Sequence, residues 1–67
     1  MNREDHLAFC KSRAKKYLPE HPDQAWASFV SDMGKHVDTD LSTGQRMLGT
    51  EMLRLGHMDE KFIDGFN

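Results

Sequence analysis

Between Ala25 and Met33 the chain places Trp26, Phe29, Val30 and Met33 at i, i+3, i+4 and i+7, with Ser28, Ser31 and Asp32 between them. At about 100° per residue these four side chains share one stripe and the polar three fall outside it, the pattern of an amphipathic helix. The stripe holds the only tryptophan and one of the four phenylalanines. Aromatic rings supply the largest buried area per residue, so the other segments are expected to pack onto this helix.

Few alternatives remain to a helix-on-helix core. A chain of 67 residues has room for one domain and buries only about 60% of the surface its unfolded form exposes. One cysteine forbids an intrachain disulfide, and four histidines without a second thiol make no zinc-finger spacing. Packing, or a partner subunit, is left to hold the domain together. Hydrophobic residues at 37% and charged residues at 30% lie in the range of folded domains. No apolar run approaches the roughly 18 residues of a membrane span, and the first residues lack the apolar core of a secretory signal. The expectation is a cytoplasmic protein with no membrane partner.

The first helix is predicted from about residue 3 to about residue 18. Asn2 is placed to cap it, Glu4 and Asp5 suit its positive end, and Pro19 closes it. Leu7, Cys10, Ala14, Tyr17 and Leu18 mark its core face, with Phe9 on the flank beside Arg13. The second helix runs from Pro22 or Asp23 to Gly34 or His36, close to the first because the connection is short. A third is predicted over Leu41 to Leu55, with Leu41, Leu48, Met52 and Leu55 on one stripe and Met47 and Leu53 at its flanks. Asp40 or Ser42 caps it and Gly56 ends it. Gly44 and Gly49 inside it each cost about 1 kcal/mol relative to alanine, which points to close approach of another helix. A short fourth helix, capped by Asp59, directs Phe62, Ile63 and Phe66 to the core. The fold class is therefore all-α: a compact bundle of three helices and a short C-terminal fourth.

Across Ala27-Ser28-Phe29-Val30-Ser31-Asp32-Met33-Gly34-Lys35-His36, Leu55-Gly56-His57 and Phe62-Ile63-Asp64-Gly65-Phe66-Asn67, the chain resembles small uncharacterised helical proteins encoded by bacteriophages of actinobacteria. The resemblance spans most of the length. It implies a viral origin and a bacterial host's cytoplasm, and it brings no catalytic residue to carry over.

Charge is uneven along the chain. The net charge of −2 gives no general attraction to polyanions. Up to residue 20, however, five basic residues stand against three acidic ones, and beyond it four stand against eight. Lys11, Ser12, Arg13, Lys15 and Lys16 form a run without an acid, and a basic helix face of this kind can sit against phosphate. Its plainer reading is a solvated face that keeps a small protein soluble. Asp38-x-Asp40-x-Ser42 begins like a calcium loop, but Thr43 stands where the turn needs glycine and Gly49 where a bidentate carboxylate is needed. Helix capping accounts for these residues instead. His6, His21, His36 and His57 show no i, i+4 pair, so only folding can bring two together, and no metal or other cofactor is expected. Cys10 lies on an apolar stripe, where a lone cysteine is a small buried hydrophobe before it is a nucleophile.

No catalytic set emerges from the sequence, and no enzyme is expected. The favoured expectation is a protein-interaction module acting on a host or viral protein through a helical surface. Its interface residues would be Gly44, Met47, Leu53 and Phe66, which flank the predicted core stripes. The rival is a nucleic-acid-binding regulator using Lys11, Arg13, Lys15, Lys16 and the adjacent Phe9. Self-association into a homodimer is expected at micromolar concentration, with Gly44 and Gly49 allowing close backbone approach.

Overall fold

The computed structural model describes residues 2–66. They form α1 (Arg3–Lys15), α2 (Pro22–Met33), α3 (Thr43–Leu55) and the short α4 (Glu60–Asp64), with no strand among the described residues. The fold is all-α, as the hydrophobic periods require. α1 packs along α2, which makes the most extensive helix pairing, while α3 packs on α2 and α4 on α1.

Local chemistry sets each helix end. Asn2 Oδ1 accepts from Asp5 N at 2.8 Å, and Asp59 Oδ1 accepts from Phe62 N at 2.9 Å. Ser42 and Gln45 form a reciprocal capping box at the start of α3, so Ser42 is the cap and Leu41 lies just outside the helix, buried in the core. Gly56 takes the left-handed conformation (φ 76°). There His57 N donates to Met52 O at 2.8 Å and Gly56 N to Leu53 O at 3.1 Å, satisfying the last carbonyls of α3. α1 ends at Lys15 rather than near residue 18. Lys16, Tyr17 and Leu18 donate to the carbonyls three residues back, a tightened last turn before a proline that excludes the helical region from its predecessor.

The core consists of Cys10, Ala14, Trp26, Phe29, Met33, Leu41, Met58 and Ile63. Small side chains at Cys10 and Ala14 let α1 approach α2 closely. Trp26 is the hub: its ring lies 5.8 Å from each of Phe29, Phe62 and Phe66, and Phe29 and Phe66 stand edge to face at 5.1 Å. Such aromatic pairs add to area burial by roughly 0.5–1.5 kcal/mol each. The stripe expected for α2 is therefore the centre of the molecule.

Three faces differ from their patterns. In α3, Gly49 is buried while Leu48 and Leu55 stand 53% and 51% exposed. The cause is Trp26: a Cβ at Gly49 would lie 1.9 Å from its Cζ2, so the indole sits against bare backbone and turns the leucines outward. Asp32, placed off the stripe of α2, is 2% exposed, held by Arg13 and Lys35. On α1, His6 joins the buried face, and Tyr17, which falls in the turn after the helix, is 37% exposed.

Candidate functional site

The basic run lies on α1 and its C-terminal turn, and folding surrounds it with acids from other elements. Lys11 Nζ donates to the backbone carbonyl of Asp64 at 2.8 Å. Lys15 Nζ donates to Asp64 Oδ1, also at 2.8 Å, and this hydrogen bond pushes the Lys15 pKa up from its ordinary value. On the opposite edge of the face, Arg13 Nε lies 3.0 Å from Asp32 Oδ2 without its N–H aimed at that oxygen. Lys35 Nζ lies 3.3 Å from Asp32 Oδ1. The Arg13 guanidinium also sits 5.4 Å from the Phe9 ring centroid. Lys16 is exposed and has no ion pair with a described residue.

Lys11, Arg13, Lys15 and Phe9 lie on α1 and Lys16 caps its end, spread around the helix's outward side. Lys11 and Lys15 hold α4, and Arg13 holds α2. Lys16 and Phe9, the latter 42% exposed, are left facing solvent.

The residues expected at an interface divide differently. Met47 is 67% exposed. Gly44 is exposed with open space around it, Ser42 Oγ being 3.9 Å from a Cβ built there. Leu53 and Phe66 are half-buried and pack against the core. The exposed apolar side of α3 is instead Met47, Leu48 and Leu55. Leu48 continues into a groove of about 440 Å³ whose other walls are Gln45, Lys61, Phe62, Gly65 and Phe66. Sequence periodicity assigns Leu48 and Leu55 to the core because it scores a glycine as a gap. The signal that could have corrected it was Gly49 itself, three and four residues before Met52 and Leu53.

A buried polar cluster joins α1 to the end of α2. His6 Nε2 lies 2.9 Å from the Asp32 carbonyl, which can only accept, so this nitrogen carries the proton. Cys10 Sγ is 3.5 Å from the same nitrogen, and the His36 ring stands edge-on to His6 with centroids 4.2 Å apart. Folding thus brings two histidines together, as only folding could. Burial, followed by the Asp32 charge, pushes the Cys10 thiol up from its ordinary pKa. With Nε2 already donating, His6 offers that thiol no base on this side, so the geometry leaves Cys10 protonated and shielded. Thr39, also buried, donates from Oγ1 to Met33 O at 2.7 Å, closing the carbonyl end of α2. In the segment that begins like a calcium loop, Asp40 Oδ1 accepts from Arg46 at 2.9 Å and Ser42 caps α3. Among the described residues no group of three His, Cys, Asp or Glu is placed to hold a metal ion, and no helix is long and apolar enough to cross a membrane.

Compared with known proteins, the chain matches no family model, no curated protein and no solved structure.

Proposed function

We propose that this chain is a small non-enzymatic protein-interaction module that engages a host or viral protein through its helical surface, as an accessory factor of a phage would. The observation that carries the reading is the outward side of α3. Met47, Leu48 and Leu55 are all more than half exposed, and Leu48 runs into the groove edged by Phe62 and Phe66. A helix that already buries Gly49 and packs the half-buried Met52 and Leu53 against the core has no folding reason to carry three further large apolar residues more than half exposed. An amphipathic partner helix laid in such a groove would cover them. The likeness to phage-encoded proteins supports the origin, and the protonated, enclosed Cys10 supports a role without catalysis.

The rival reading, a nucleic-acid regulator acting through the whole basic face, has less support as the main function because Asp32 and Asp64 compete for Arg13 and Lys15 and the Asp64 carbonyl takes Lys11. Affinity capture from actinobacterial lysate, with the wild type beside Met47→Lys/Leu55→Lys, tests the proposal. The expected result is one protein retained by the wild type at about 0.5 M salt, where exposed charge pairs are screened, and lost by the double variant. Equal capture by both, or capture abolished by salt alone, would remove α3 as the interface.

A further inference from the structure

We propose that the shallow cleft between α1 and the end of α4 binds the phosphodiester backbone of single-stranded nucleic acid, with Asp64 seated in it as a competing internal anion. The inference stands apart from the protein-interaction reading, since it concerns α1 and not α3. Ala8, Lys11, Ser12, Lys15, Lys16 and Asp64 line a cleft of about 460 Å³. Three ammonium groups line it against the Asp64 carboxylate, and with the charge of Glu60, which also acts on Lys15, its local balance is still positive in a chain that is acidic as a whole.

The two lysines converge. Lys11 and Lys15, one helical turn apart, both reach Asp64 at 2.8 Å, one at its carbonyl and the other at its carboxylate. Carboxylate and phosphate oxygens accept from the same ammonium donors, so Asp64 marks the place a phosphate oxygen would take. The Lys15–Asp64 pair has side chains 33% and 53% exposed, and exposed pairs of this kind are weak. A phosphate can therefore take over Lys15 without undocking α4, whose Ile63 is fully buried in the core.

Lys16 connects this cleft to a second one. Phe9, Arg13, Lys16 and Tyr17 line an adjoining hollow of about 470 Å³, where the guanidinium already lies over the Phe9 ring. An aromatic ring with a guanidinium beside its face is a platform for a base. Only an unpaired strand can splay its bases onto such a platform. A phosphopeptide or a lipid headgroup would use the lysines and leave the ring pair idle; a single strand uses both.

Fluorescence anisotropy of the full chain with a labelled oligothymidylate of about ten nucleotides tests this. Asp64→Asn removes the competing charge while keeping the carbonyl that Lys11 uses, and should bind roughly two- to fivefold tighter than the wild type. Lys16→Gln should bind more weakly and flatten the plot of log affinity against log salt by about 0.7. Phe9→Ala should weaken the oligonucleotide while leaving inorganic pyrophosphate unchanged. Circular dichroism and Trp26 fluorescence should stay at wild-type values throughout. If Asp64→Asn lost its fold, Lys16→Gln and Phe9→Ala would still decide the question, because neither residue lies in the core. No saturable binding by wild type or Asp64→Asn at low salt, or binding unaltered by Lys16→Gln and Phe9→Ala, would overturn the site. Binding of phosphatidylserine vesicles or a phosphoserine peptide as tightly as the oligonucleotide would overturn the single-strand assignment.

Discussion

The two glycines of α3 should respond in opposite directions to the same substitution. In a helix interior alanine is favoured over glycine by about 1 kcal/mol, so propensity alone says both changes stabilise. At Gly49 the space is already taken: a Cβ would lie 1.9, 2.1 and 2.5 Å from Trp26 Cζ2, Cε2 and Cη2, where carbon atoms in contact normally rest about 3.5–4.0 Å apart. The indole would have to move by well over an ångström, yet it is ringed by Phe29, Phe62 and Phe66. Overpacking of this kind costs typically about 1–3 kcal/mol and sometimes more. After the propensity gain of about 1 kcal/mol, a cost at the upper end of that range leaves Gly49→Ala a net loss of up to about 2 kcal/mol. A domain of this size has only about 3–10 kcal/mol in total. Gly44 is exposed with no such neighbour, and Gly44→Ala should gain about 0.5 kcal/mol. Urea denaturation followed by circular dichroism and Trp26 emission measures both. Shrinking the ring with Trp26→Phe should make the Gly49→Ala penalty smaller than in the wild type, a coupling visible in a double-mutant cycle. Stabilisation by Gly49→Ala, or a penalty unchanged by Trp26→Phe, would refute the claim that the indole rests on the α3 backbone.

Other substitutions test the remaining assignments. Phe29→Ala should cost about 3–5 kcal/mol and Ser31→Ala under about 0.5, since one empties the core and the other lies in solvent; equal small losses in denaturation would remove α2 as the hub. Ser28 Oγ is buried with no hydrogen-bond partner among the described residues, so Ser28→Ala should leave stability unchanged or raise it by up to about 1 kcal/mol, and a loss beyond about 1 kcal/mol would show that the hydroxyl is satisfied. Because burial raises the Cys10 pKa above its ordinary 9.0, the unfolded chain gives up this proton first. Stability should therefore hold below about pH 9 and fall as pH rises further, and Cys10→Ala should lack that alkaline slope; identical pH profiles for the two chains would contradict the assignment. Sedimentation equilibrium from low to high micromolar should show masses above 7.7 kDa that return to monomer in Leu48→Lys, if the outer side of α3 pairs with a second copy; a monomeric mass throughout would exclude the homodimer.

Helix content and order followed from local signals in the chain. The period of Trp26, Phe29, Val30 and Met33, the caps at Asn2, Ser42 and Asp59 and the stop at Gly56 act within a few residues of one another, so they are legible without knowing what packs on what. Which side of α3 faces inward was a different kind of fact. Leu48 and Leu55 outweigh Gly49 on any hydrophobic count, yet an indole from α2 fits only against the residue with no side chain, and that preference exists only once the two helices meet. The same holds for charge. Asp32 reads as a solvent-facing acid along α2, but it is buried because Arg13 and Lys35 reach it from two sides. Lys11 and Lys15 read as part of an open basic face, and the fold brings Asp64, 53 and 49 residues further along the chain, into reach of both. Side-chain period records what a helix needs to bury; partners distant in sequence decide which of its surfaces, and which of its charges, remain for another molecule.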